Sequence, residues 1–322
     1  MKINHDFIRK SSFQKDLYRW RNQRSILGYA RNRFNWHVLP RIYFAPAYPN
    51  HMDIELSSRC NLKCPMCFRE HREIPNQNSM SFDLFKRIIG EIEGKVYSIK
   101  FTGRGEPVMH RGFSKFMDHL KGKSFGEVAM ITNGQLLSED KMQSMIDCAM
   151  DTVSFSIDGL KEDYERIRAP GKYEDIIERV AYFHAMRNRA GAKKPIIRIQ
   201  SVMINETEQR EFLNIWEPIS DDIFFLHFKN YSADAPNIQK RKYACPMPVQ
   251  RLMVHWNGTV PMCINDEYED AVMGDLNSQT VVDIWRGETF RQARKTHMRG
   301  ERTLAFKNCA KCPLTREGHG DG

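Results

Sequence analysis

The chain has little cysteine, eight residues in 322, and no apolar run that approaches the ~18 residues of a membrane span. Its opening stretch, MKINHDFIRKSSFQKDLYRW, is charged throughout and lacks the apolar segment of a secretory signal. The first absence excludes a membrane-spanning helix; the second gives the expectation of a reducing cytoplasm, where scarce cysteines serve metal ligation or redox chemistry and not disulfides. Acidic residues are also scarce at the start. Residues 1–50 hold two Asp and no Glu against ten Lys and Arg, so +8 of the overall +9 charge precedes residue 51. What remains is ordinary: 41% hydrophobic residues in a chain of this length can bury a full core, and one large domain with an appendage is the natural organisation.

The cysteines are not scattered. Cys60, Cys64 and Cys67 stand in SSRCNLKCPMCFREH, a C-x3-C-x2-C triad that chance would give roughly once in two hundred chains of this composition. A tetrahedral zinc needs a fourth ligand, for which His71 is the near candidate. A four-iron cube held by three thiolates instead keeps one iron free for an external ligand. The last four cysteines, Cys245, Cys263, Cys309 and Cys312, suit a closed site of either kind, a zinc ribbon or a fully ligated iron–sulfur cluster. Cys148 falls in a helical pattern and reads as a core thiol.

After residue 50, strand and helix signals alternate. Apolar β-rich runs occur at 52–57, 97–103, 127–133, 152–158, 196–203 and 223–228. Helical patterns lie between them, the first carrying Phe82, Phe85, Ile88, Ile89 and Ile92 on one face. Six such units predict an α/β fold, parallel strands with crossover helices closed into a partial (β/α)6 TIM-like barrel. Function in that architecture gathers at the C-terminal strand ends. The cysteine loop follows the first strand, Gly103-Arg104-Gly105-Glu106-Pro107 the second, Thr132-Asn133-Gly134 the third, Ser156-Ile157-Asp158-Gly159 the fourth, and Val202-Met203-Ile204-Asn205 the fifth.

The triad followed by the aromatic Phe68 resembles the signature of the radical S-adenosylmethionine (SAM) enzymes. The resemblance implies that Cys60, Cys64 and Cys67 hold a 4Fe–4S cluster whose free iron chelates the methionine end of SAM. Gly105 and Glu106 are similar to the family's Gly-Gly-Glu element, with Arg104 where a Gly often stands, and Glu106 would accept from the SAM ammonium. Asn133, Ser156 and Asp158 would meet the ribose, and Val202 the adenine. The stretch from Cys245 to Cys312 resembles the C-terminal SPASM extension, in its shorter form called twitch, which implies a second 4Fe–4S cluster on Cys245, Cys263, Cys309 and Cys312. The expected division is a basic arm at 1–50, the barrel at 51–235 and the auxiliary domain at 236–322.

The family implies a 5′-deoxyadenosyl radical that takes hydrogen from a substrate carbon. The cysteine pattern resembles that of aminocyclitol dehydrogenases such as 2-deoxy-scyllo-inosamine dehydrogenase, which implies a dehydrogenase-like oxidoreductase that oxidises a secondary alcohol of a sugar or cyclitol. Peptide or protein modification is the alternative, and a zinc-binding scaffold a second. A one-electron donor such as flavodoxin or ferredoxin is the implied partner. His227 and Lys229 alternate at the end of the sixth strand and are candidates for the general base. In the arm, Phe13, Leu17, Trp20 and Leu27 share one helical face among the cations. Either that helix packs on the barrel, or residues 1–40 attach the enzyme peripherally to an anionic membrane surface; a nucleic-acid partner is not expected.

Overall fold

The structure, a computed structural model, describes residues 25–74, 76–202, 208–226, 244–310 and 312. Six strands follow one another in the order expected: β1 (His51–Ile54), β2 (Ser98–Phe101), β3 (Glu127–Thr132), β4 (Thr152–Ser156), β5 (Ile196–Ser201) and β6 (Asp222–Phe225). Each pairs in parallel with the next. A seventh strand, β7 (Arg251–Val254), adds in parallel to the free side of β1, with His51 opposite Arg251 and Ile54 opposite Val254. The sheet thus runs β6-β5-β4-β3-β2-β1-β7 and stays open between its two edge strands, a partial barrel.

The crossover helices cover the outer face because each presents an apolar stripe. In α1 (Ile26–His37) nothing is fully buried, whereas α2 (Phe82–Ile92) buries Leu84, Phe85, Ile88, Ile89 and Ile92, the expected face with Leu84 added and Phe82 at its margin. Ser81 starts α2 by accepting from the Leu84 amide at 3.2 Å. The crossovers continue with α3 (Phe113–Leu120), α4 (Glu139–Asp147), α5 (Lys161–Ile167), α6 (Tyr173–Arg189) and α7 (Gln209–Trp216). Cys148 caps α4 as a buried thiol pushed up to about 11 by its burial.

The inner face is polar. His51, Ser98, Lys100, Ser154, Arg198 and Arg251 line a cavity of about 580 Å³ at the N-terminal strand ends, away from the loops that carry the cysteines. Helix α1 flanks it: the Trp36 ring packs against the Arg251 guanidinium at 4.9 Å, and the Trp36 carbonyl accepts from Gln250 at 2.6 Å. The part of the arm from Ser25 to Asn50 therefore packs on the barrel, with Leu39 buried. Phe13, Leu17 and Trp20 lie outside the described residues; Leu27, the fourth member of their face, is 83% exposed.

The C-terminal region begins with α8 (Met247–Gln250), which leads into β7. A hairpin of β8 (Thr259–Pro261) and β9 (Val272–Asp275) follows, then α9 (Val281–Arg286), α10 (Glu288–Met298), α11 (Arg302–Ala305) and α12 (Lys307–Ala310). Glu91 of α2 accepts from the amides of Val281 and Val282 at 2.9 and 3.1 Å, so a barrel helix supplies the anion at the start of α9. No helix among the described residues is long and apolar enough to cross a membrane.

Candidate active site at the strand ends

The chain leaves β1 into the loop that carries Cys60, Cys64 and Cys67. Cys64 is buried, and Cys60 and Cys67 are half-buried. A tight turn joins the last two, the Cys67 amide donating to the Cys64 carbonyl at 2.8 Å. Arg69 pins the loop by donating to the carbonyls of Ser58 at 2.6 Å and Arg104 at 2.8 Å. Two donors stand beside the thiols: the Asn133 amide nitrogen is 3.9 Å from Cys60 Sγ, and Arg168 Nη1 is 3.9 Å from Cys64 Sγ. Burial pushes all three thiols up, and the charge of Arg168 opposes it at Cys64 and, less, at Cys67. Iron ligation would draw off these protons.

The second loop is pressed against the first. A Cβ at Gly105 would lie 2.3 Å from the Arg59 carbonyl oxygen and 2.4 Å from that of Ser57, so only glycine fits there. Glu106 is buried, and that burial holds its carboxyl above the usual range. It accepts from the Thr132 hydroxyl and the Asn133 amide, each at 2.7 Å, which laces the second loop to the third. Asn133 also reaches Asn61 in the cysteine loop at 2.9 Å.

At the fourth loop, Ser156 accepts from Gln200 at 2.9 Å. Asp158 is fully buried with both oxygens engaged: one accepts from the Val202 amide at 2.6 Å, and the other pairs with Arg168. Val202 is thus held through its backbone. Phe68 stands edge-on to Tyr268, 6.1 Å between ring centres, and its carbonyl accepts from the Tyr268 hydroxyl at 2.5 Å. The remaining expected residues, His227 and Lys229, lie outside the described residues, as do Met203, Ile204 and Asn205.

Three contributors were not marked by local sequence. Arg168 ends α5, ten residues after Asp158, and nothing in its surroundings announces that it reaches Cys64. Arg104, the departure from the Gly-Gly-Glu pattern, turns inward. It donates to Glu55 of the barrel interior at 2.8 Å and to Glu269 of the C-terminal region at 2.9 Å. His255 in turn contacts Glu269 at 2.8 Å. Tyr268, next to Glu269, packs under the Arg72 guanidinium at 4.6 Å. The segment after Cys263 therefore grips both the cysteine loop and the second loop.

The four C-terminal cysteines form a second group. The charges of Cys245, Cys309 and Cys312 all act on Cys263, whose thiol burial raises well above its ordinary value. Asn265 stands 3.9 Å from Cys312 Sγ, Asn308 4.0 Å from Cys263 Sγ, and His297 3.6 Å from Cys309 Sγ. Among the described residues, no three His, Cys, Asp or Glu side chains converge as ligands of one metal ion would. That is no obstacle to a cube: four thiolates on one zinc sit about 3.8 Å apart, from a Zn–S bond of about 2.3 Å, whereas a cube puts a separate iron behind each thiolate. The donor sets fit iron–sulfur clusters, three buried or half-buried thiols in one loop and four in the other region, with nitrogen donors beside Cys60, Cys64, Cys263, Cys309 and Cys312.

Known proteins agree. Residues 54–211 match the model of the Radical SAM superfamily, and residues 245–313 match that of the SPASM iron–sulfur cluster-binding domain. The chain is 32% identical over 320 residues to the tungsten-containing aldehyde ferredoxin oxidoreductase cofactor-modifying protein of Pyrococcus furiosus, covering 81% of this chain and 86% of that one. It is 31% identical over 125 residues to a probable GTP 3′,8-cyclase of Methanococcus maripaludis, of which it spans 41%. Among solved structures, BtrN in complex with AdoMet and 2-DOIA superposes with a TM-score of 0.56 at 17% identity, over 82% of this chain and 92% of that one. SuiB of Streptococcus suis bound to S-adenosylmethionine superposes with 0.62 at 14% identity, over 94% and 83%. These two likenesses concern the fold. The chain belongs to the radical SAM superfamily and is an enzyme with a C-terminal SPASM domain, built around 4Fe–4S clusters and S-adenosylmethionine.

Proposed function

We propose that this enzyme oxidises a secondary alcohol of a small hydroxylated molecule, a sugar or cyclitol, to a ketone. The observation that carries the reading is the division of seven cysteines into three at the strand ends and four in the C-terminal region, because three thiolates leave one corner of a cube open and four close it. When bound, the first cluster and SAM supply a carbon-centred radical that takes the hydrogen atom, and the second cluster supplies a one-electron acceptor.

The chain's own residues do the rest. Cys60, Cys64 and Cys67 hold the first cluster, and Cys245, Cys263, Cys309 and Cys312 the second. Glu106 is the acceptor offered to the SAM ammonium, and Asn133 and Ser156 the polar contacts for its ribose. Asp158 acts through Arg168, whose guanidinium it keeps beside Cys64. Phe68, Gly105 and Val202 shape the walls. The hydroxyl proton goes to a base at the end of the sixth strand, Lys229 or His227. A flavodoxin or ferredoxin would supply electrons in the cytoplasm, and the basic residues 1–40 would attach the enzyme to an anionic membrane face.

The test is anaerobic incubation of reconstituted enzyme with reductant, SAM and substrates deuterated at the carbinol carbon. One equivalent of deuterated 5′-deoxyadenosine per ketone is expected. A panel of sugars and cyclitols that gives only substrate-independent SAM cleavage would remove the reading. A second reading, modification of the cofactor of a partner enzyme, is supported by the likeness to the cofactor-modifying protein of Pyrococcus furiosus. Deuterium transfer from a metalloenzyme cofactor, and not from free sugars, would select it.

A further inference from the structure

The end of the N-terminal arm lies against the C-terminal region. After α1, residues Leu39–Ile42 form a short 3-10 turn packed beside α8, which follows Cys245 directly. Tyr43 closes that turn with φ 53°, a left-handed conformation that costs a β-carbon-bearing residue about 1–2 kcal/mol. Its amide, donating to Pro40 at 3.2 Å, and the Phe44 amide, donating to Leu39 at 2.9 Å, hold it so. The outcome is a tyrosine directed inward from a surface segment, and its hydroxyl is enclosed without a hydrogen-bond partner.

A second donor is in the same state. Arg294 of α10 lies over the Trp285 ring at 4.2 Å, its Nε donating to the Pro248 carbonyl at 2.8 Å and its Nη1 to that of Trp285 at 2.7 Å. Its remaining nitrogen, Nη2, is buried with no partner. Pro248, which Arg294 holds, lies three residues after Cys245, and His297, one turn further along α10, stands 3.6 Å from Cys309 Sγ. The two unsatisfied donors therefore lie where the Tyr43 turn and α10 meet the segments that carry Cys245 and Cys309. A buried donor left unmade costs about 1–3 kcal/mol, so two in one place call for an acceptor. Sulfur atoms of a bound cluster are the acceptors that the donor set fits.

We propose that the Tyr43 hydroxyl and the Arg294 guanidinium donate hydrogen bonds to sulfur of the second cluster and thereby raise its reduction potential. Reduction adds negative charge that resides largely on sulfur, and donors aimed there favour the reduced state. The inference deepens the proposed function, on which it rests for the direction of electron flow: a cluster so held is poised to receive an electron. It also gives the arm a part in the chemistry of the C-terminal region.

The test is an EPR-monitored redox titration of the full-length reconstituted enzyme without substrate, so its outcome is independent of which molecule is oxidised. The first cluster is identified by its spectral response to SAM, and the second by its indifference to it. Tyr43→Phe should shift the second cluster toward more negative potential by a factor of about ten in its reduction equilibrium, 59 mV for one electron. The first cluster should be unmoved and the iron content unchanged. Pulsed EPR in D₂O should show an exchangeable deuteron coupled to the second cluster that the variant lacks. Arg294→Lys, which retains a donor, should shift the potential less than Arg294→Met. Equal potentials in wild type and Tyr43→Phe, with the deuteron coupling retained, would overturn the proposal; so would a shift shared equally by both clusters.

Discussion

Replacing Arg104 by Met removes the side chain that joins the second loop to the barrel interior and to the C-terminal region. Glu55, whose side chain is 0% exposed, accepts from Arg104 Nη2 at 2.8 Å and Nε at 3.0 Å, and from the Arg104 and Trp256 amides at 2.7 and 3.2 Å. Burial alone would raise its carboxyl; the Arg104 hydrogen bonds with the His255 and Arg104 charges hold it below the ordinary range instead. Stripping one partner from a buried ion pair costs about 3–5 kcal/mol. Two backbone donors remain to Glu55, so the lower end, about 3 kcal/mol or more than a hundredfold in the folding equilibrium, is expected. Loss of the contact with the more exposed Glu269 should add about 1 kcal/mol or less. Urea unfolding of wild type, Arg104→Met, Glu55→Gln and the double variant forms a cycle. The double variant should recover part of the loss, because Gln needs no counter-charge. A single Arg104→Met variant within 1 kcal/mol of wild type would refute the reasoning, since an uncompensated buried carboxylate cannot be that cheap.

Further outcomes follow from the same contacts. Replacing Cys60, Cys64 and Cys67 together by Ala should lower bound iron from about eight atoms to about four and abolish SAM cleavage; full iron retention would place the clusters elsewhere. Arg168→Met leaves Asp158 buried without its cation and should weaken SAM binding at least tenfold, as read by equilibrium dialysis, while the second cluster's EPR signal is unchanged. Gly105→Ala forces a Cβ onto the Ser57 and Arg59 backbone and should cost about 1–3 kcal/mol along with most SAM cleavage; retained activity would mean the loops part easily. His51 is lowered to about 4 by burial and further by Arg251 and Lys100, against the pull of Asp53. The folded state then binds fewer protons than the unfolded one between about pH 4 and 6.5, so stability should fall as pH drops through that window, by up to about 3 kcal/mol. Urea midpoints of wild type and His51→Gln at pH 7.5 and 5.0 check this, and the variant should show the flatter response.

The sequence by itself determined the sequential strands and helices and the position of the chemistry. Period-two and 3.6-residue patterns are local consequences of backbone geometry, so β1 through β6 and the buried stripe of α2 follow from residues within a few positions of each other. The cysteine spacings are local too, and three thiols in one loop cannot be far apart in space. Only the tertiary structure decided what meets across long separations. Strand β7 is a four-residue run whose partner could not be read from its own composition, and its place beside β1 depends on a free sheet edge and on where the C-terminal region docks against α2. Arg104 lies where the family pattern suggests glycine, and its value became legible only when Glu55, 49 positions away, and Glu269, 165 positions away, were found around it. Arg168 and Tyr43 carry no local mark, since an arginine ending a helix and a tyrosine closing a turn are common. Their meaning lies in burial beside elements distant in the chain, Cys64 for Arg168 and the helix after Cys245 for the turn that Tyr43 closes, which is a property of packing and not of periodicity.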